Sequence, residues 1–242
     1  CSSAGKTYTG SIVGVLDGTL DTVKSDETVK IEIVKHNSTS GNKEYNGGMV
    51  GVVPTSAEIR NCWFAGKLSG DTSRQGGILG GLQNASNTNA TNCPVDIECI
   101  IENCLVTGEF KVPTHVGGIF GTAWYGGTLT LKNSLFAGKI AKSDGTAPSS
   151  SGTVIDDVGK LKPIVSNVYS QNYDGAVLTT TVGVGSGNVT SGAIKAYSTD
   201  ELKGESAYDY MNVKFYPKDE EDAPWIAVTG SHPVLRSFVD EE

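Results

Sequence analysis

The chain's apolar and polar positions alternate with a period of two, in short runs interrupted by glycine. Val29-Lys30-Ile31-Glu32-Ile33-Val34 is the plainest run. Side chains in such a run fall alternately on two faces, which predicts a strand and not a helix. The alternation returns in segments that superimpose. Gly47-Gly48-Met49-Val50-Gly51 is followed by Ile59-Arg60-Asn61-Cys62-Trp63-Phe64-Ala65-Gly66-Lys67-Leu68. Gly76-Gly77-Ile78-Leu79-Gly80 leads to Ile101-Glu102-Asn103-Cys104-Leu105-Val106-Thr107-Gly108-Glu109-Phe110, and Gly117-Gly118-Ile119-Phe120-Gly121 leads to Leu131-Lys132-Asn133-Ser134-Leu135-Phe136-Ala137-Gly138-Lys139-Ile140. A fourth copy keeps only Val165-Ser166-Asn167-Val168-Tyr169, its glycine pair giving way to Thr153-Val154-Ile155-Asp156-Asp157. Self-similarity at roughly 30 residues predicts stacked units, each burying its apolar face on its neighbours.

Aligning the copies on Asn61, Asn103, Asn133 and Asn167 gives each column a physical meaning. Ile59, Ile101, Leu131 and Val165 form an apolar column, and Arg60, Glu102, Lys132 and Ser166 a polar one beside it. Further on, Leu68, Phe110 and Ile140 point inward while Lys67, Glu109 and Lys139 point outward. In both outward columns the charge runs plus, minus, plus. Direct parallel stacking sets each charge against its opposite, worth about 0.2–1 kcal/mol a pair and less when exposed. The Asn column predicts a strand corner whose side chains bond their own bend and the Asn of the next copy, a ladder; the alternative is a turn residue with no stacking partner. The glycine pairs fit either turns with φ > 0 or close approach between copies.

The element Gly-Gly-apolar-apolar-Gly, followed by apolar-x-Asn-Cys/Ser-aromatic-x-x-Gly, resembles the GLUG repeat of bacterial surface and secreted proteins. The match is best over Gly47 to Leu68 and Gly117 to Ile140; the middle copy carries an insertion around Gln83 to Asp96. With flanking half-copies, Gly10-Ser11-Ile12-Val13-Gly14 among them, it covers residues 10 to 175. The resemblance implies an all-β fold, a parallel β-solenoid or β-helix of imperfect repeats, and a scaffold more than an activity. On this reading residues 1–10 are a tether, 11–197 the solenoid and 198–242 a small helix-plus-strand cap. Ser198-Thr199-Asp200-Glu201 has capping-box spacing, which predicts a helix over 199–211 with Leu202, Ala207, Tyr208 and Met211 on one face. Trp225, Val234, Leu235 and Phe238 are expected to cover the last level of the stack.

Composition narrows the function. A chain of 242 residues buries one good core or two small ones. The net charge of −8 argues against nucleic acid, which needs clustered cations. No apolar run approaches the roughly 20 residues of a membrane span. Of five cysteines, Cys93 and Cys99 lie where they can clip the insertion, and Cys62 and Cys104 share a column where they pack or bond. Cys1-Ser2-Ser3 fits the lipid attachment site of a bacterial lipoprotein, unless the sequence merely starts there. With no short Cys-x-x-Cys and three scattered histidines, no metal or cofactor is expected.

An enzyme on such a scaffold needs two or three convergent carboxylates. Asp156-Asp157 is an acidic pair within the repeat region, but neighbours on a strand point to opposite faces. It reads as a solvated or turn-forming pair. Trp63 aligns with Leu105, Leu135 and Tyr169 and reads as packing. Trp124 and Tyr125 follow Gly121 in a loop without counterpart in the other copies, which makes them the expected ligand-binding residues for a sugar or peptide. The expectation is a non-enzymatic extracellular or cell-surface module for adhesion, binding or structure. Its partners would be an extracellular protein, a glycan or other components of a surface assembly, with membrane contact only through a lipid on Cys1. The rival is a carbohydrate-active lyase or hydrolase.

Overall fold

The computed structural model describes residues 8–33, 44–70, 74–83, 97–123, 127–159, 161, 163–184, 188–216 and 222–239. Strand makes up 49% and helix 6%, so the fold is all-β, and nearly every pairing is parallel. The copy that opens at Tyr45 shows the unit: strands Tyr45–Gly47, Val50–Val53, Ala57–Arg60, Trp63–Phe64 and Lys67–Gly70. The next copy repeats it as Gln75–Gly76, Leu79–Leu82, Glu98–Glu102, Leu105–Val106 and Glu109–Lys111. The third runs Val116–Gly117, Phe120–Thr122, Thr128–Phe136 and Lys139–Ala141. Equivalent strands join four sheets; these three copies add to every one of them, and the fourth, through Ile155–Asp157 and Ile164–Asn172, to two.

The register reproduces the sequence alignment. Ile59 pairs with Ile101, Ile101 with Leu131, and Leu131 with Val165. Leu68 pairs with Phe110 and Phe110 with Ile140. The outward charges meet as expected where Arg60 and Lys132 flank Glu102, at 3.9 and 3.0 Å, and where Lys67 lies 3.4 Å from Glu109. Lys139 departs from the pattern: its Nζ lies 5.5 Å from the Tyr173 ring centre, and Lys111 takes the second place beside Glu109 at 3.3 Å. The first copy is fuller than its decayed sequence suggests. It contributes Val13–Val15, Gly18–Asp21 and Lys30–Ile33, and Tyr8–Thr9, inside the expected tether, pairs with Tyr45 and Asn46.

Between the sheets runs one apolar core, in which the tilted rings of Phe64, Phe110 and Phe136 form a column with ring centres 6.0 and 6.1 Å apart. The glycine pairs owe their place to close approach and not to φ: none of Gly47, Gly48, Gly76, Gly77, Gly117 or Gly118 has positive φ. A β-carbon on Gly118 would collide with the Thr153 carbonyl and the Phe136 ring, and one on Gly77 with the Gly118 carbonyl.

The C-terminal segment differs from its expected form in two ways. Ser198 and Glu201 do form the reciprocal bonds of a capping box, but no helix spans 199–211. A 3-10 turn at Gly204–Ser206 and a single helical turn at Ala207–Tyr210 take its place. Gly204, at φ +61°, lies in the left-handed region and interrupts regular winding. The segment also lies along the flank of the copies. The column that follows each Asn corner points outward yet is apolar, giving a stripe of Trp63, Leu105, Leu135 and Tyr169. Leu202, Ala207, Met211, Phe215, Trp225 and Leu235 bury that stripe as a second core. The Trp63 and Phe238 rings lie 6.1 Å apart. Strands Phe215–Tyr216, Trp225–Ile226 and Val234–Leu235 make a small sheet of their own.

Candidate functional site

The corner residues Asn61, Asn103, Asn133 and Asn167 have φ of 51°, 50°, 48° and 51°. Asn tolerates the left-handed region far better than most residues, so each copy can turn there without glycine. The Cys/Ser that follows has a matching task. Cys62 Sγ donates to the Arg60 carbonyl (3.0 Å), Cys104 Sγ to the Glu102 carbonyl (3.3 Å), and Ser134 Oγ to the Lys132 carbonyl (2.8 Å). Each satisfies a carbonyl at the bend. Cys62 and Cys104 therefore share a column as expected, and both are free and buried; burial pushes the Cys104 thiol up. A protonated, enclosed thiol is a poor nucleophile. Cys99 is buried and free, its thiol raised to about 12, while Cys93 lies outside the described residues.

The amides form a directional ladder. Asn103 Nδ2 donates to Asn61 Oδ1 (3.2 Å) and Asn167 Nδ2 to Asn133 Oδ1 (3.0 Å). Asp21 of the first copy and Asn212 of the flanking segment lengthen it. Asn61 Nδ2 donates to Asp21 Oδ1 (2.9 Å), and Asn212 of the flanking segment donates to Asn167 Oδ1 (3.2 Å) while its backbone N–H reaches the Tyr169 hydroxyl (2.6 Å). The ladder is interrupted once. Asn103 Oδ1 is buried without a hydrogen-bond partner, and Asn133 Nδ2 donates to no described residue. At this level the repeat changes from Cys to Ser, and Ser134 Oγ takes the backbone N–H of Cys104 (3.1 Å). Asn103, Asn133, Asn167 and Asn212, together with Val213, Lys214 and Pro224, line an open groove of about 570 Å³.

A second polar cluster lies where neither motif nor spacing marks it. Asp156 is completely buried, with Oδ1 3.3 Å from His115 Nδ1 and Oδ2 unpartnered. The solvated reading of this residue is therefore corrected, for a positional reason. Phe120 pairs with Ile155 and Thr122 with Asp157, so Asp156 occupies the place of Gly121, where side chains point at the facing sheet. Asp157 does form a turn, accepting the Gly159 N–H (2.7 Å). Burial raises the Asp156 carboxyl to about 6, and the hydrogen bond to Asp156 raises the His115 imidazole; Asp157 and Arg74 add smaller opposing effects on each.

Both folded values exceed the unfolded ones. The Asp156 contribution to stability is thus complete below its ordinary 3.8 and is lost as pH rises through about 6. That of His115 is complete below 6.5 and is lost above its raised folded value. Half-buried His232, whose imidazole is lowered by desolvation, acts in the opposite sense in the same window. The difference between wild type and Asp156→Asn isolates the pair. Urea midpoints should show wild type losing stability relative to the variant from pH 5 to pH 8. Parallel curves would remove the pair from the titration.

Trp124, Tyr125 and Cys1, the sequence-based candidates for ligand and lipid, lie outside the described residues. Trp63 packs as expected: its Nε1 donates to Thr107 Oγ1 (2.8 Å), and Lys24 Nζ sits 3.9 Å from its ring centre. Comparison of the chain with protein-family models, curated proteins and solved structures gives no match. The chemistry of the site therefore rests on its residues alone. A neutral amide wall offers both donors and acceptors without a proton to transfer, which suits binding.

Proposed function

We propose that this chain is a non-enzymatic adhesion, binding or structural module of the bacterial cell surface or secreted space, built as a parallel β-solenoid of GLUG-type repeats. One observation carries the architecture: the register in which strands pair is the register in which the sequence copies align. A coil that adds one level per copy has that property, whereas unrelated strands meeting in a sheet need not. The surface location rests on the repeat resemblance. The partner would be an extracellular protein, a glycan or another component of a surface assembly.

The carbohydrate-active alternative needs carboxylates that reach a substrate. Here Asp156 is sealed from solvent and Asp157 is held in its turn, which favours binding over hydrolysis. Antibody labelling of intact cells of the source bacterium should detect the protein without lysis, and protease added outside should remove it. The purified chain should leave acidic and neutral polysaccharides uncut, with no new reducing ends and no unsaturated uronate absorbance. Labelling only after lysis would overturn the location, and enzyme-dependent chain cleavage would overturn the non-enzymatic reading.

A further inference from the structure

We infer that the groove along the Asn column binds a saccharide chain, laid lengthwise against Asn103, Asn133, Asn167 and Asn212. The inference rests on the binding-module reading and assigns that reading a site and a ligand class.

The groove wall is made of primary amides, one from each of three successive copies and one from the flanking segment. Each amide has two N–H donors and two acceptor lone pairs, and the ladder engages at most one donor and one lone pair of each. At Asn133, Asn167 and Asn212 the remaining capacity borders the groove, with neighbouring parallel strands about 4.8 Å apart, while Asn103 Oδ1 is closed off from it. Asn133 contributes more than the others, because its Nδ2 serves no described residue. A hydroxyl is the matching group, since it donates to an amide oxygen and accepts from an amide nitrogen at once.

The rest of the lining supplies the other half of sugar recognition. Val213 and Pro224 offer apolar surface to the C–H face of a ring, and Lys214 is the charged residue among the seven that line the groove. With one lysine and no carboxylate in that lining, the groove accepts neutral or anionic sugars despite the net charge of −8. Its volume of about 570 Å³ suits a short oligosaccharide segment.

The test is a side-chain amide titration by ¹H–¹⁵N correlation spectroscopy of the full chain. Probes are cellotriose, maltotriose, trigalacturonate and, from another class, an uncharged extended hexapeptide, each at millimolar concentration. The Asn133, Asn167 and Asn212 NH₂ signals should shift saturably with at least one of the three sugars. Affinity should fall at least about tenfold in Val213→Trp, which fills the groove from a half-buried position. Exposed Asn212→Leu should weaken it too, and provides a second reading if the tryptophan disturbs folding. No shift with any sugar, or shifts with the peptide alone, overturns the inference. Sugar-induced shifts confined to other residues overturn the groove but leave the binding-module reading standing. Cleavage of a groove-bound sugar leaves the groove standing and overturns the non-enzymatic reading.

Discussion

In a urea titration, Gly118→Val should lose about 4 kcal/mol or more, enough to leave little folded protein. A β-carbon there collides at once with the Thr153 carbonyl of the next copy and the Phe136 ring of its own. Thr153 is fixed between the Gly117–Gly152 bridge and strand Ile155–Asp157, its N–H bonded to the Thr180 carbonyl, and the ring sits in the central core, so neither can yield without unpacking its neighbours. Gly48 and Gly77 meet the same obstruction, from the Gly77 carbonyl with the Phe64 ring and from the Gly118 carbonyl with Val106. The control is Gly145→Ala, where φ is +81° and nothing lies within 4 Å. That change strains only the backbone and should cost about 1–2 kcal/mol. Equal losses at the two positions would refute close packing as the reason for the paired glycines.

Phe110→Ala should cost about 3–5 kcal/mol, the range for deleting a fully buried aromatic ring and leaving a cavity. Its ring is the middle member of the Phe64–Phe110–Phe136 column, so both neighbours lose a partner. Strands hold the copies above and below at their hydrogen-bonded spacing, which limits collapse into the gap. Phe238→Ala is the comparison, because this half-buried ring meets Trp63 at the edge of the flanking cluster. It should cost about 1 kcal/mol. Calorimetric unfolding of both variants measures the contrast, and a Phe110→Ala melt indistinguishable from wild type would mean the aromatic column does not bear on stability.

The part of this fold that is legible in the sequence is the part that repeats. Ile59, Ile101, Leu131 and Val165 predict the register because one physical requirement, an inward apolar side chain, is stated four times. The Asn corners are legible for the same reason. What occurs once is not legible. Nothing adjacent in sequence marks His115 and Asp156 as partners. Finding them requires seeing that Gly152-Thr153-Val154-Ile155-Asp156 is the fourth glycine element with Asp at its last place, as the Gly117–Gly152 bridge shows. Asn212 sits outside any copy, so its role as the last amide of the ladder follows only from how the tail lies. The tail's own course departs from what a sound local signal predicts. The capping box at Ser198 forms, but a cap starts a helix without sustaining it, and Gly204 follows too soon. The outward apolar column of Trp63, Leu105, Leu135 and Tyr169 is visible in the alignment, and it is the feature that explains why the tail covers a flank.

That covered flank decides how the protein bears a pull. The bonds between copies point along the direction in which copies are added, so tension in that direction opens them one level at a time. The segment from Leu202 to Leu235 lies across several levels and grips Leu105, Leu135 and Tyr169 together. A force that would peel away one copy must also slide this strap over its neighbours. The tail thereby couples copies that would otherwise yield singly, and a chain cut before Leu202 would lose that coupling and leave Leu105, Leu135 and Tyr169 uncovered.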